Sequence, residues 1–221
     1  MMTDFIDKLK ENVKDILFPV RCPYCEIVIH KTEYACESCK KQFPSPAIIK
    51  HAVGGYKCTS PFPYDGIFKK AVKRFKFGNK GGYAKQLAFP MVQSILESYQ
   101  GANFDLITCV PMHKNRLIDR GYNQAELLAK ECAKIMNIPY LDTLEKFREN
   151  REQHSIKASE RAKNVKGVYK IIDKELVRDK KILIIDDIIT TGNTLGECSV
   201  MLVKSGCSSV DCAVLCSVIM S

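Results

Sequence analysis

The chain has 221 residues, 46% hydrophobic and 27% charged, with a formal net charge of +9. That is enough apolar sequence for a substantial core, and no apolar run approaches the about 18 residues that a membrane-spanning helix needs. The opening MMTDFIDKLKENVKDILF is charged throughout and lacks the apolar centre of a secretory leader; the expectation is a cytoplasmic protein without membrane insertion.

The positive charge is unevenly placed. Residues 1–55 carry eight Lys/Arg against seven Asp/Glu, whereas residues 56–221 carry 26 against 18. The excess belongs to the larger C-terminal part and suits an anionic ligand or partner there.

In chain order, residues 3–17 read as an amphipathic helix with Phe5, Leu9, Val13 and Ile16 at helical spacing. A cysteine-rich module follows at about 22–42. FPSPAIIKHAVGG, with two prolines and paired glycines, reads as a linker ending near Gly55, so a module over 1–55 and a domain over 56–221 are expected. Helices are expected at about 66–76 and 82–99, then the strand DLITCVP and a helix at about 121–136. Irregular basic sequence fills 146–166. The strands GVYKII and KILIIDD, a helix over 193–205 and a last strand VDCAVLCSV complete the chain. Strands separated by helices imply an α/β fold with a mostly parallel sheet covered on both faces.

Cys22, Cys25, Cys36 and Cys39 form the pattern C-x2-C-x10-C-x2-C. Each C-x2-C turn aims two thiolates at one ion, and two turns complete a tetrahedron. Two disulfides, or a redox pair, are the other readings of these cysteines. Four ligands leave no open coordination position, so the expected role of Zn²⁺ is structural, with metal binding supplying folding free energy to a module too small for its own core. The other seven cysteines lie mostly in apolar segments and read as small hydrophobes.

The stretch ILIIDDIITTGNTL, Ile182 to Leu195, ends a buried strand on two acids and passes at once into a loop of small polar residues. Ligands of an open parallel sheet sit at the C-terminal ends of its strands. A helix starting after Gly192 offers backbone N–H groups and a positive dipole end to a phosphate, with Thr190, Thr191, Asn193 and Thr194 as further donors. Asp186 and Asp187 would repel that phosphate, so they should face hydroxyl groups: a 5-phosphorylated ribose fits both halves. An Asp helix cap explains one acid only, and Mg²⁺ ligation by the pair is compatible with the sugar reading.

This stretch resembles the PRPP-binding motif of type I phosphoribosyltransferases. LITCVPMHKNRLIDRGYNQAELLA, QHSIKASERAKNVKGVY and VKRFKFGNK extend the resemblance to the ComF/GntX family over nearly the whole chain. Members pair a four-cysteine module with a phosphoribosyltransferase-like domain. Ile156 stands where a leucine is usual, a mild departure.

The resemblance implies that Asp186 and Asp187 hold the ribose hydroxyls of PRPP, that Thr190, Thr191, Gly192, Asn193 and Thr194 hold its 5-phosphate, and that Val110, Pro111, Met112 and His113 form the diphosphate loop. Arg120, with Lys114 and Arg116, is a candidate for neutralising the diphosphate, with Mg²⁺ bridging diphosphate and ribose. A cation opening a helix is disfavoured by the dipole, which argues for a functional task for Arg120. Asn123 and Gln124 either contact ligand or cap the helix; His113 reads as a plain loop residue. Gln153, Arg161 and Asn164 fall in a segment that in this fold can close over the site.

Two functions follow. One is transfer of phosphoribosyl from PRPP to a nitrogenous base, with Asp186, Asp187 and Arg120 as the catalytic set. The other is a role in natural competence, with single-stranded DNA and a helicase-like protein as partners. Lys69, Lys70, Lys73, Arg74 and Lys76, interleaved with Phe68, Phe75 and Phe77, suit phosphate contacts and base stacking. Equally, they read as the wet face of a helix that buries Phe68, Val72 and Phe75.

Overall fold

Residues 19–78, 80–148 and 167–219 are described by a computed structural model. The helix expected at 3–17, and Gln153, Arg161 and Asn164, lie outside these residues.

A mostly parallel sheet forms the centre. In chain order its strands are β1 (Ile48–His51), β2 (Lys57–Ser60), β3 (Phe62–Pro63), β4 (Leu106–Cys109), β7 (Lys181–Ile189) and β8 (Ser209–Ser217). The spatial order is β1-β2-β8-β7-β4, with β3 also pairing β8. All pairs are parallel except β1 with β2. A separate two-stranded sheet joins β5 (Leu144–Lys146) to β6 (Tyr169–Ile171). The helices are α1 (Glu37–Lys40), α2 (Gly66–Phe77), α3 (Ala84–Ser98), α4 (Lys114–Arg120), α5 (Gln124–Met136) and α6 (Asn193–Lys204). None of the described helices is long and apolar enough to cross a membrane.

The central strand β7 explains the layering. Ile182, Leu183, Ile184 and Ile185 are all fully buried, and each such side chain contributes about 1.5–3 kcal/mol. Alternation sends Leu183 and Ile185 into one apolar layer with α2, α3 and α5, and Ile182 and Ile184 into another with α6 and Val168–Tyr169. The scattered cysteines 58, 109, 132, 198, 207, 212 and 216 are buried in these layers, as their apolar surroundings suggest.

The first layer continues without a break into the cysteine module. Tyr24 packs edge-on against Phe43, Phe62 and Phe68, and Phe62 stacks on Phe68 at 4.2 Å. The stretch read as a linker is not one: Ile48–His51 is strand β1, paired with β2. The prolines and glycines of that stretch lie outside the strand residues, where they do not disturb its pairing.

Three local readings change for a physical reason. Strand β7 runs on to Ile189, two residues past the acid pair, because β8 continues beside it to Ser217. A separate helix α4 precedes α5; Gly121, at φ +78°, ends it, and Asn123 starts the next. The short strands β1, β2, β3 and β5 carry too few residues for a clear alternation.

Candidate functional site

The acids come first. Alternation along β7 places Asp186 toward the α6 layer and Asp187 toward the α2 layer, so the pair straddles the end of the sheet. Asp187 is 8% exposed, and its backbone N–H donates to Asp186 Oδ1 at 2.8 Å. Burial, then the negative charge of Asp187, push the Asp186 carboxyl up to about 7; that N–H, Lys76 and Lys146 pull the other way.

Lys76, from the last turn of α2, sets its ammonium 2.7 Å from Asp187 Oδ2, with both side chains mostly buried. Lys146 ends β5 directly opposite Tyr169 of β6, over whose ring it lies. The Tyr169 hydroxyl lies against the Thr194 side chain. Glu197, one turn into α6, accepts the N–H of Gly167 at 2.7 Å. Lys146 and Tyr169 thus lie beside the acid pair and the start of α6, and Gly167 is tied to Glu197 of that helix.

The loop after β7 turns through Gly192, at φ +75°, which begins α6 without a side-chain cap. The first N–H groups of that twelve-residue helix therefore have no capping oxygen from the preceding residue. Asn193 Nδ2 donates to Thr191 Oγ1 at 2.9 Å. A wall of backbone closes the loop from the other side. Val53 N donates to Gly192 O at 3.2 Å. A Cβ on Gly192 would lie 2.7 Å from Ala52 Cα, and one on Gly196 2.3 Å from Val53 O. Lys50 of β1 donates to Thr190 O, and to Val218 O at 2.9 Å.

Val110 to His113 follow β4, the neighbour of β7, at the same rim. Asn123 both caps α5, accepting from Ala125 N at 3.1 Å, and donates to Val110 O at 3.1 Å, which steadies this loop. His113 caps α4 through Nδ1, which accepts from Asn115 N. A cleft of about 370 Å³ opens beside the loop, lined by Pro111, Met112, Lys114, Asp142, Glu145 and Lys146 among others.

Arg120 is not at a helix start. It ends α4, where a cation is favoured, and the dipole argument for a functional task falls. Its guanidinium donates to Gln124 Oε1 at 3.3 Å and lies over the exposed ring of Phe77. Lys114 and Arg116 lie on α4.

The basic run on α2 divides. Arg74 and Lys76 are engaged inward, Arg74 with the cysteine module and Lys76 with Asp187. Lys69 sits over Tyr64, while Lys69, Lys70 and Lys73 are exposed. Phe68 and Phe75 are buried, and Phe77 is 72% exposed.

The sulfurs of Cys22, Cys25, Cys36 and Cys39 all lie within 4.8 Å of one another. Zn–S bonds of about 2.3 Å make a tetrahedron with sulfur–sulfur edges of about 3.8 Å; Cys25 and Cys36 are 3.6 Å apart, far beyond a disulfide bond. The donor set fits one zinc ion. Turns place it: Glu26 N bonds to Cys22 O, and Cys39 N to Cys36 O. Sequence alone does not single out Lys76, Lys146, Tyr169, Glu197 and Lys50 as parts of the acid site.

Residues 122–219 match the model of the phosphoribosyl transferase domain. The chain is 30% identical over 192 residues to Competence protein ComFC of Streptococcus pneumoniae, covering 86% of this chain and 77% of that protein. It is 28% identical over 197 residues to Competence protein F of Haemophilus influenzae, covering 86% and 81%. It is 24% identical over 209 residues to DNA utilization protein YhgH of Escherichia coli K12, covering 88% and 89%. With these matches, a four-cysteine cluster and an acid pair at the end of a central parallel strand, the chain belongs to the ComF family of phosphoribosyltransferase-type proteins.

Proposed function

We propose that this protein binds PRPP with Mg²⁺ at the end of β7 and acts in the uptake or utilisation of DNA. The observation that carries the sugar-phosphate half is the acid pair followed immediately by a Gly192 turn into an uncapped helix start. Asp186 and Asp187 would accept the ribose hydroxyls, and Thr190 to Thr194 with the N–H groups of α6 would hold the 5-phosphate. The backbone from Val110 to His113 would take the diphosphate. Mg²⁺, when bound with PRPP, would supply charge neutralisation between diphosphate and ribose oxygens. Lys76 and Lys146 bring positive charge from two other segments to the acid pair.

The DNA half rests on the relatives, which carry the names competence protein and DNA utilization protein. On this chain the exposed Lys69, Lys70 and Lys73 of α2 are the surface for a single strand. Arg74 and Lys76 are drawn inward and do not belong to it. A helicase-like protein is the expected partner in that process.

A second reading is transfer to a base. The cleft beside Val110 to His113 favours it, because 370 Å³ is room for a small molecule next to the diphosphate loop. The reaction would displace diphosphate from the anomeric carbon by a nitrogen nucleophile, and the protein would contribute positioning and electrostatic stabilisation.

Calorimetric titration of zinc-loaded protein with PRPP and Mg²⁺ tests the proposal. Saturable binding, lost in Asp186→Asn/Asp187→Asn, is expected; absence of binding to the intact protein would remove the sugar-phosphate reading. Single-stranded DNA affinity should fall with salt and with Lys70→Glu/Lys73→Glu. Diphosphate release in a screen of bases would establish the transferase reading.

A further inference from the structure

The last turn of α2 touches two sites at once. Arg74 reaches the turn between Cys22 and Cys25: its guanidinium donates to Tyr24 O at 2.9 Å and Pro23 O at 3.3 Å, and its Nε lies 2.9 Å from Glu26 Oε2. Lys76, two residues on, holds Asp187 at 2.7 Å. Phe75 between them is fully buried, and its carbonyl accepts the Tyr122 hydroxyl. The turn is therefore fixed at three points, and a shift of the cysteine turn has a short, rigid route to the acid pair.

We propose that Arg74 is a positioning residue that couples the metal module to the acid pair, so that zinc on the four cysteines holds Lys76 in register on Asp187 and strengthens ligand binding there. The carbonyls that Arg74 grips belong to the residues between two of the four thiols, so their direction depends on how that turn is closed. Closing it on a metal ion fixes the Arg74 anchor. Without it, α2 keeps its apolar face, with Phe68, Val72 and Phe75 in the core, but its last turn loses the contact that orients Lys76. Linkage makes the effect reciprocal: ligand at the acids should tighten zinc binding by the same free energy.

The part of this inference that concerns ligand rests on the PRPP reading; the zinc-to-acid coupling does not. Arg74→Gln and, from the module side, Glu26→Gln keep all four thiols, and zinc content should stay at that of the unaltered protein. Two measurements follow on zinc-loaded protein. Amide hydrogen exchange over 186–194 should quicken in Arg74→Gln and, to a smaller degree, in Glu26→Gln. PRPP–Mg²⁺ affinity should fall by at least about fivefold in Arg74→Gln, and PRPP should lower the equilibrium share of zinc taken by a competing chromogenic chelator in the unaltered protein but not in this variant. Exchange unchanged in both variants overturns the coupling whether or not PRPP binds, and so does an unchanged PRPP affinity in Arg74→Gln. If the unaltered protein binds no PRPP but exchange responds, the functional reading falls and the coupling stands.

Discussion

The four-cysteine cluster and the acid pair are built on opposite plans. The cluster takes all its ligands from two short turns separated by ten residues, so the chain closes it locally and its chemistry is complete in itself. The acid pair is local only in its acids. The groups around it and its loop come from α2, β5, β6 and β1, with Lys50 reaching Thr190 across 140 residues of sequence. The local site takes its donors from one stretch of chain, whereas the distributed one depends on how several elements pack.

The comparison breaks most visibly at the metal. Cys39→Ser should abolish zinc binding, and because Tyr24 and Phe43 share an aromatic cluster with Phe62 and Phe68, the loss should lower the thermal midpoint of the whole protein. Zinc-linked folding free energy in such modules is on the order of 10 kcal/mol; zinc analysis with calorimetry measures it. The distributed site should respond to a change on the backbone wall behind its loop. Gly196→Ala drives a Cβ to 2.3 Å from Val53 O and should cost about 2 kcal/mol by chemical denaturation, with PRPP affinity falling alongside.

The acid pair also sets a pH dependence of its own. Burial, then the charge of Asp187, push the Asp186 carboxyl up to about 7, above its ordinary value of 3.8. The folded state therefore holds this proton more tightly than the unfolded chain. Its contribution to stability is full below about pH 4 and is lost as the pH rises to about 7. Asp186→Asn should flatten that slope and leave the protein more stable at pH 8, on the order of 2 kcal/mol once water at the rim is allowed for. The smallest effect is expected from Lys146→Met, which removes a cation that favours the ionised form. Carbon-13 NMR should show Asp186 titrating a few tenths of a pH unit higher.

How much was legible in sequence follows the same division. The four-cysteine cluster was readable in full, because spacing alone places thiols on turns. The parallel α/β architecture was readable from ILII and its neighbours, whose apolar runs admit burial on both faces. The acids and the Gly192 turn were readable as a motif. Lys76 was not: within KKAVKRFKF its charge looks like that of Lys70 and Lys73, and only the packing of α2 decides which lysines turn inward. Arg120 misled because Gly121 ends one helix before Asn123 begins another, which reverses the end of the dipole it meets. The stretch 43–55 misled because prolines and glycines that suggest a linker flank a four-residue strand.

That strand has a practical consequence. Anyone trimming the protein to its catalytic-looking part would be tempted to start at Tyr56, where the glycines invite a cut. The shortened chain would keep every residue of the phosphate-type loop and discard the backbone of Ala52 and Val53 that Gly192 and Gly196 lean on, together with the ammonium that holds Thr190. Transplanting the loop into another scaffold carries the same condition: residues 48–53 must travel with it.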